Sequence, residues 1–271
     1  MSKETGVGRI EALFERTQAE RRAALMPYLT LGFPTPEEST ALVERVAAAG
    51  ADLLELGVPY SDPVADGPVL QRAMGVALQA GVTLARCLDM VRSVRQRGVR
   101  VPLVLMGYFN PILAYGESDF CRDCREFGVD GLIVPDLPPE EGDVLEAACR
   151  THGLALIYLL APTSPQERIR LVSERSQGFI YLVSTTGITG PRPTVPADLA
   201  AFVSRVRAVT RKPAAVGFGI STADQAREVA ALADGVIVGS ALVRLAEKQD
   251  GGNQVEAFVT SLRQAMAPEP D

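Results

Sequence analysis

The stretch GLIVPDLPPEEGDVLEAACRTHGLALIYLLAP, Gly131 to Pro162, sets two short apolar runs on either side of a longer amphipathic one. The flanking runs, GLIVPD (131–136) and ALIYLLAP (155–162), have strand length and are apolar almost throughout. A half-exposed strand alternates polar and apolar residues, whereas a strand covered on both faces does not. The intervening PEEGDVLEAACRTHG has the spacing and length of a helix. Strand, helix and strand within roughly thirty residues make a crossover unit, which sets its two strands parallel.

The same plan recurs along the chain. Six further runs have strand character: LMPYLT (25–30), DLLELGV (52–58), PLVLMGYF (102–109), FIYLVS (179–184), AAVGFG (214–219) and GVIVGS (235–240). Helical stretches such as STADQAREVAALAD, which opens with a Ser-x-x-Asp start signal at Ser221, lie between them. Eight such units in about 250 residues match an α/β fold of the (β/α)8 TIM-barrel type. An open doubly wound sheet is the rival arrangement, but no GxGxxG opens the first helix and no acid stands at the dinucleotide spacing. An extra N-terminal helix, roughly residues 8–20, precedes the first strand and is placed to close the barrel floor. Residues 1–271 read as one barrel domain, and the final APEPD as a frayed tail.

Hydrophobic residues make up 47% of the chain and charged residues 22%, the balance of an ordinary globular protein. No apolar run approaches the roughly 20 residues that span a bilayer, so no membrane association is expected. The opening MSKETGVGRIEALFERTQAERR is polar and mixed in charge, unlike a secretory signal, which makes the cytoplasm the expected address. A net charge of −6 without a basic block argues against nucleic acid. Cys121 and Cys124 form a CxxC within a helical pattern, and no second CxxC completes a thiolate zinc site. Cys149 and His152 lie three apart on another helical stretch, so the cysteines, Cys87 included, read as reduced packing residues and no metal is expected.

Active sites of such barrels form at the C-terminal ends of the strands. Glu55 lies near that end of LLELG, on the face it shares with Leu53 and Gly57, and so points into the barrel mouth. None of the eight strand runs contains Lys, Arg or His, which leaves Glu55 without a cationic partner. Tyr28, Tyr108, Tyr158 and Tyr181 lie on those runs and offer hydroxyls instead. An acid held this way has a raised pKa, which suits a proton donor or shuttle. Asp66, in the Pro/Gly loop after this strand, reads equally as a turn former or a functional group, and Asp62 in SDP as a turn or interface residue.

The late loops add a second feature. Glycines at 187, 190, 217, 219 and 239 leave backbone N–H groups open to an anion, and Ser240 adds a hydroxyl at the start of a short helix. A phosphate site at the loops after strands six to eight is expected. Together with the carboxylates, it suggests C–C or proton-transfer chemistry on a phosphorylated metabolite. Lys212 precedes the seventh strand, at the opposite face, while Lys3 and Lys248 lie near the chain ends, so no lysine is placed for a Schiff base. His152 is the sole histidine, which argues against a metal-assisted aldolase. The electron sink then has to be part of the substrate.

LLELGVPYSDPVADGPVLQRA, MGYFNPILAYG, GVDGLIVPDLPPEE, FIYLVSTTGITG, GFGIS and GVIVGSALV closely resemble the signature segments of the tryptophan synthase alpha chain family, from about Arg9 to Lys248. The resemblance implies retro-aldol cleavage of indole-3-glycerol phosphate to indole and D-glyceraldehyde 3-phosphate, a lyase reaction of tryptophan biosynthesis. It implies that Glu55 is the general acid–base, that Asp66 accepts a hydrogen bond from the indole N–H, and that Tyr181 hydrogen-bonds and positions Glu55. Gly190, Gly219, Gly239 and Ser240, with Phe218 alongside, match the phosphate site. Tyr28, Leu70, Met106, Ile133 and Ile237 match the indole pocket, and Thr189 matches a lid residue that closes towards Asp66. Pro59, Asp62, Asn110, Pro111 and Pro138 match contacts to a beta chain in an α2β2 heterotetramer. The resemblance further implies that indole passes to that beta chain, which carries pyridoxal phosphate, while the alpha chain needs no cofactor. Phe33 stands where family members often carry Asp, which reads as loop variation.

Three other roles fit parts of the pattern. A stand-alone lyase releasing free indole would share every catalytic residue. A partner-only activating subunit would not need Glu55 and Asp66 together. The third is another phosphate-binding barrel, such as an isomerase or the synthase of indole-3-glycerol phosphate, and that synthase would call for a lysine at a strand end.

Overall fold

The computed structural model describes residues 5–183, 198–217 and 219–268. Its strands are β1 (Ala24–Thr30), β2 (Leu54–Gly57), β3 (Leu103–Met106), β4 (Gly131–Ile133), β5 (Ala155–Ile157), β6 (Leu159–Leu160), β7 (Ile180–Val183), β8 (Ala214–Gly217) and β9 (Gly235–Val238). Every pairing is parallel, and the order is β5-β4-β3-β2-β1-β9-β8-β7-β6. The two ends of that order, β5 and β6, are separated in the chain only by Tyr158, whose carbonyl accepts the Tyr181 N–H at 3.1 Å. They are halves of one strand. The sheet therefore closes on itself, and the eight runs of the sequence become an eight-stranded barrel with helices between the strands.

Alternation along the strands sorts the side chains into two layers. Met26, Leu53, Val104, Ile157, Phe179 and Ala215 fill the interior, whereas Leu25, Leu54, Leu56, Leu103 and Leu105 pack outward against the helices. Both faces are covered, which is why the strands read as unbroken apolar runs. The N-terminal helix spans Gly6–Ala19, two residues earlier than its apolar spacing suggests, because Thr5 caps it by accepting the Gly8 N–H at 3.1 Å. Its Ile10, Leu13 and Phe14 join the interior layer, and the Phe14 and Phe179 rings lie 5.7 Å apart. This helix plugs the floor, as expected.

At that floor a repeated clip joins the strands in pairs. Asp52 accepts the Leu25 N–H at 3.0 Å, Asp130 that of Leu103 at 2.8 Å, Gln177 that of Leu156 at 3.4 Å, and Asp234 that of Ala214 at 2.8 Å. The backbone N–H of each of the four in turn donates to the carbonyl of the same partner residue, at 2.8 to 2.9 Å. Each clip immediately precedes one strand (β2, β4, β7 or β9) and grips the start of the barrel strand before it (β1, β3, β5 or β8). Three are reinforced by cations. Arg22 and Arg16 bind Asp52, Arg95 and Arg9 bind Asp130, and Arg207 binds Asp234.

The Ser-x-x-Asp signal at Ser221 proves displaced by one residue. Thr222 caps helix Ala223–Ala230, accepting the Gln225 N–H at 3.2 Å, and Gln225 reaches back to the Ser221 N–H at 2.8 Å. The returning bond thus reaches the residue before the cap, Ser221, rather than the N-cap N–H of a strict capping box. Phe33 is 5% exposed and packs in the outer core, so it is a buried packing residue rather than free loop variation. All four cysteines are buried thiols, with the Cys121 and Cys149 sulfurs 3.7 Å apart. No single helix among the described residues is long and apolar enough to cross a membrane.

Candidate active site

β2 is buried along its whole length and carries Glu55 into the upper interior, level with Tyr28 on β1 and Val104 on β3. Glu55 is 1% exposed, and neither of its carboxyl oxygens has a hydrogen-bond partner among the described residues. Burial pushes its pKa up from 4.5 to about 8, with the nearby charge of Asp66 adding to the shift. An acid in this state keeps its proton at neutral pH.

The hydroxyls expected to hold Glu55 are engaged elsewhere. Tyr108 donates to Asp66 at 2.7 Å, Tyr158 turns outward to Glu146 at 2.8 Å, and Tyr28 accepts from Thr30 at 3.3 Å. Tyr181 lies close enough to feel the charges of Glu55 and Asp66 but makes no hydrogen bond to Glu55. Its hydroxyl crosses instead to β8, 2.6 Å from where a β-carbon on Gly217 would stand. Gly217 makes room for this tyrosine, and Gly57 does the same for Tyr28, whose hydroxyl lies 2.0 Å from the corresponding position.

Asp66 ends a tight turn in which its N–H donates to the Pro63 carbonyl at 3.0 Å, immediately before helix Pro68–Gln79. The Gln71 side chain donates back to the Asp66 carbonyl at 2.8 Å. The turn-former reading therefore holds, and the carboxylate also lies near enough to Glu55 to act on its pKa. Burial raises the Asp66 pKa, while the hydroxyl of Tyr108 pulls it down by stabilising the charged form. Both carboxyls are thus raised by burial, but only Asp66 has a donor that favours its charged form.

Tyr28, Met106, Ile133 and Ile237 come together on the interior wall around this pair. Leu70 is buried on the helix behind the Asp66 loop. Where the phosphate was expected, Gly239 caps the short helix Ser240–Ala246 without any side-chain bond among the described residues. Ser240 is buried, with no hydrogen bond to its hydroxyl among the described residues, and Gly219 has φ 20°. Thr189, Gly190, Phe218 and Gly187 lie outside the described residues. Lys212 sits at the opposite face and donates to the carbonyl of Ser176, so it takes no part in this site.

Of the residues matched to a subunit contact, Asp62 and Asn110 are exposed on the rim, and Pro111 and Pro138 are half-buried. Pro59 is buried beneath the loop and is not available to a partner in this conformation. Two apolar side chains on the same rim are open to solvent, Val64 at 83% and Leu113 at 54%. The bond between Tyr108 and Asp66 was not foreseen from sequence. Its partners lie 42 residues apart in different loops, and no local pattern links them. Among the described residues, no group of three or more His, Cys, Asp or Glu is placed to hold a metal ion.

Comparisons with known proteins bear on this geometry. The family model described as tryptophan synthase alpha chain matches residues 14–268. A tryptophan synthase alpha chain of Roseiflexus castenholzii is 50% identical over 260 residues, covering 95% of this chain and 100% of that one. One from Dehalococcoides mccartyi is 47% identical over 247 residues, covering 91% and 96%. The structure of Mycobacterium tuberculosis tryptophan synthase superposes with a TM-score of 0.89 at 40% identity, covering 96% of this chain and 98% of that one. That of the tryptophan synthase subunit alpha from Legionella pneumophila gives 0.88 at 40% identity, covering 95% and 98%.

Proposed function

The chain belongs to the tryptophan synthase alpha chain family, whose reaction is the cleavage of indole-3-glycerol phosphate, and from that premise we propose that Glu55 carries the proton transfers and Asp66 stabilises the cation they create. One observation carries this reading. An acid with a pKa of about 8 and, among the described residues, no hydrogen-bond partner for either oxygen stands in an apolar wall, near a second carboxylate that accepts a hydrogen bond from Tyr108.

The chemistry balances on these two groups. Protonated Glu55 donates to ring carbon C3 of the substrate, giving an indolenine cation whose charge lies on the ring nitrogen. Asp66 accepts a hydrogen bond from the ring N–H and stabilises that charge in a site of low polarity. The Glu55 carboxylate then takes the proton of the side-chain hydroxyl. As the C–C bond breaks, its electron pair returns to the ring, and the hydroxyl-bearing carbon becomes the aldehyde of D-glyceraldehyde 3-phosphate. Glu55 ends protonated, as it began.

Gly219, Gly239 and Ser240, with Gly190 and Phe218, hold the phosphate. Tyr28, Leu70, Met106, Ile133 and Ile237 line the indole pocket, Tyr181 walls the space above Glu55, and Thr189 closes towards Asp66. The electron sink is the indole itself, so we assign no cofactor to this chain, and pyridoxal phosphate belongs to the beta chain that is its partner. In this reading the chain is one barrel domain of a cytoplasmic α2β2 assembly. The beta chain rests on the rim at Asp62, Asn110, Pro111 and Pro138, where Val64 and Leu113 are exposed.

Indole release from indole-3-glycerol phosphate by the purified chain tests the assignment, with and without the beta chain. Glu55→Gln and Asp66→Asn should each lower turnover by about a hundredfold or more, the usual scale for a lost acid–base or charge-stabilising group. Turnover of Glu55→Gln within about tenfold of the wild type would sink the role given to Glu55.

A further inference from the structure

A carboxylate on a loop has to be held before it can meet a ring nitrogen in one fixed place, and the hold on Asp66 comes from outside its own loop. Tyr108 follows β3 and precedes helix Phe109–Tyr115. Its hydroxyl donates to Asp66 Oδ2 at 2.7 Å and accepts the Ala65 N–H at 3.0 Å, so a single oxygen grips two consecutive residues. The Tyr108 ring is 3% exposed and stacks on Tyr60, with centroids 4.9 Å apart and planes 23° from parallel. The Tyr60 hydroxyl in turn accepts from Asn110 Nδ2 at 3.4 Å, and Asn110 is exposed on the rim.

We propose that Tyr108 is the positioning residue of Asp66, and that its stack on Tyr60 couples Asp66 to the beta chain docked on the rim beside Asn110. This rests on the reading of Asp66 as the group that meets the ring nitrogen. Three contacts in series run from the surface to that carboxylate, each between side chains of different β–α loops or their neighbours. A partner that seats Tyr60 and Asn110 therefore narrows the positions open to Tyr108, and through it those of Asp66. Tyr108 touches no reacting atom in this scheme; it sets where the charge of Asp66 lies and how firmly that charge is held.

Tyr108→Phe separates the hydroxyl from the ring, since the stack on Tyr60 survives and the two hydrogen bonds do not. The titratable groups facing Asp66 are Glu55 on β2, Tyr28 on β1, Tyr181 on β7 and Tyr108, with Asp136 behind Tyr108. None of them is a cation. Removing the hydroxyl takes away the donor that favours ionised Asp66, so the Asp66 pKa rises and the acid limb of kcat/KM moves to higher pH.

The test measures indole release by the full chain across pH, alone and with saturating beta chain. For Tyr108→Phe the expected result is a fall in kcat of about tenfold, KM within about twofold, and an upward shift of the acid limb. In an Asp66→Asn background the same change should cost less than about twofold, because there is no longer a charge to position. General damage to folding would instead multiply the two losses. An unshifted acid limb, or losses that multiply, would overturn the role of Tyr108. Tyr60→Ala should leave Tyr108 its hydroxyl yet reduce the acceleration by the beta chain at least threefold (about 0.7 kcal/mol); undiminished acceleration would overturn the coupling. Wild-type activity in Asp66→Asn alone would refute the role of Asp66 and not the geometry that holds it.

Discussion

Glu55 and Asp66 are nearly the same functional group, both have their pKa raised by burial, and only Asp66 has a hydroxyl that opposes the shift. Glu55 has burial and a neighbouring negative charge, both of which favour the proton. Asp66 has burial too, but also a hydroxyl that favours the charge. The difference has a consequence for stability. Folded Glu55 retains its proton up to about pH 8, whereas in the unfolded chain it loses it near its ordinary value of 4.5. Between those limits the folded state binds the extra proton, so stability contributed at this position falls as pH rises and is fully lost above about 8. Glu55→Gln removes the titration. The variant should therefore melt increasingly above the wild type as pH rises from about 5 to about 9, although it is inactive throughout. Thermal melts at the two ends of that range check this, and a difference in melting temperature that ignores pH would mean that Glu55 is not the group titrating.

Among the elements, the floor clips and the late glycine loop divide stability from function. Asp130 is 1% exposed and bound by Arg95 at 2.6 Å and Arg9 at 3.2 Å. Asp130→Ala strands a largely buried Arg95, which should cost about 3–5 kcal/mol of unfolding free energy. Gln177→Ala loses a neutral bond at the equivalent clip and should cost only about 1 kcal/mol. Urea titrations of the two variants separate the values, and equal losses would mean that the cations at the Asp130 clip add nothing. At the mouth, a β-carbon on Gly239 meets Tyr28 atoms no closer than 3.4 Å, an ordinary contact, so the fold tolerates a side chain there. Gly239→Val should then raise KM for the phosphorylated substrate by about tenfold or more with little effect on the melt. An unchanged KM would place the phosphate elsewhere. Legibility follows the same division. All eight runs could be read because a strand covered on both faces leaves no polar alternation to confuse it. Helix starts at Thr5 and Thr222 were misjudged by one or two residues, since a cap is decided by local backbone angles and by the residue three positions on. Glu55 stood out as a lone acid without a cation nearby. The Tyr108 bond to Asp66, the room Gly217 makes for Tyr181 and the burial of Pro59 were hidden, because each depends on a residue distant in sequence or on how a loop folds over its own strand.

Across the whole molecule, the barrel is anchored at one end and worked from the other. The plug helix, the four clips and their arginines fix the floor, while the Asp66 loop is tied to its surroundings chiefly through Tyr108 and Gln71. Holding such a loop in one arrangement costs conformational entropy, and a lid that closes over substrate adds to that cost. The rim that would meet the beta chain carries exposed Asp62, Asn110, Val64 and Leu113, immediately above those ties. On the proposed roles, a docked beta chain would offset part of the ordering cost and hold Asp66 where the cation forms. Gaining even about 2 kcal/mol of transition-state stabilisation this way corresponds to roughly a thirtyfold faster reaction. Indole release should accordingly rise at least about tenfold as cognate beta chain is titrated to saturation. Asp62→Ala should blunt that rise more than it lowers turnover of the chain alone, because Asp62 touches the rim and not the substrate. Steady-state rates against beta-chain concentration read both effects in one experiment. A flat titration with rapid turnover from the start would mean that the mouth is already organised in the isolated chain, and that it acts as a lyase releasing indole on its own.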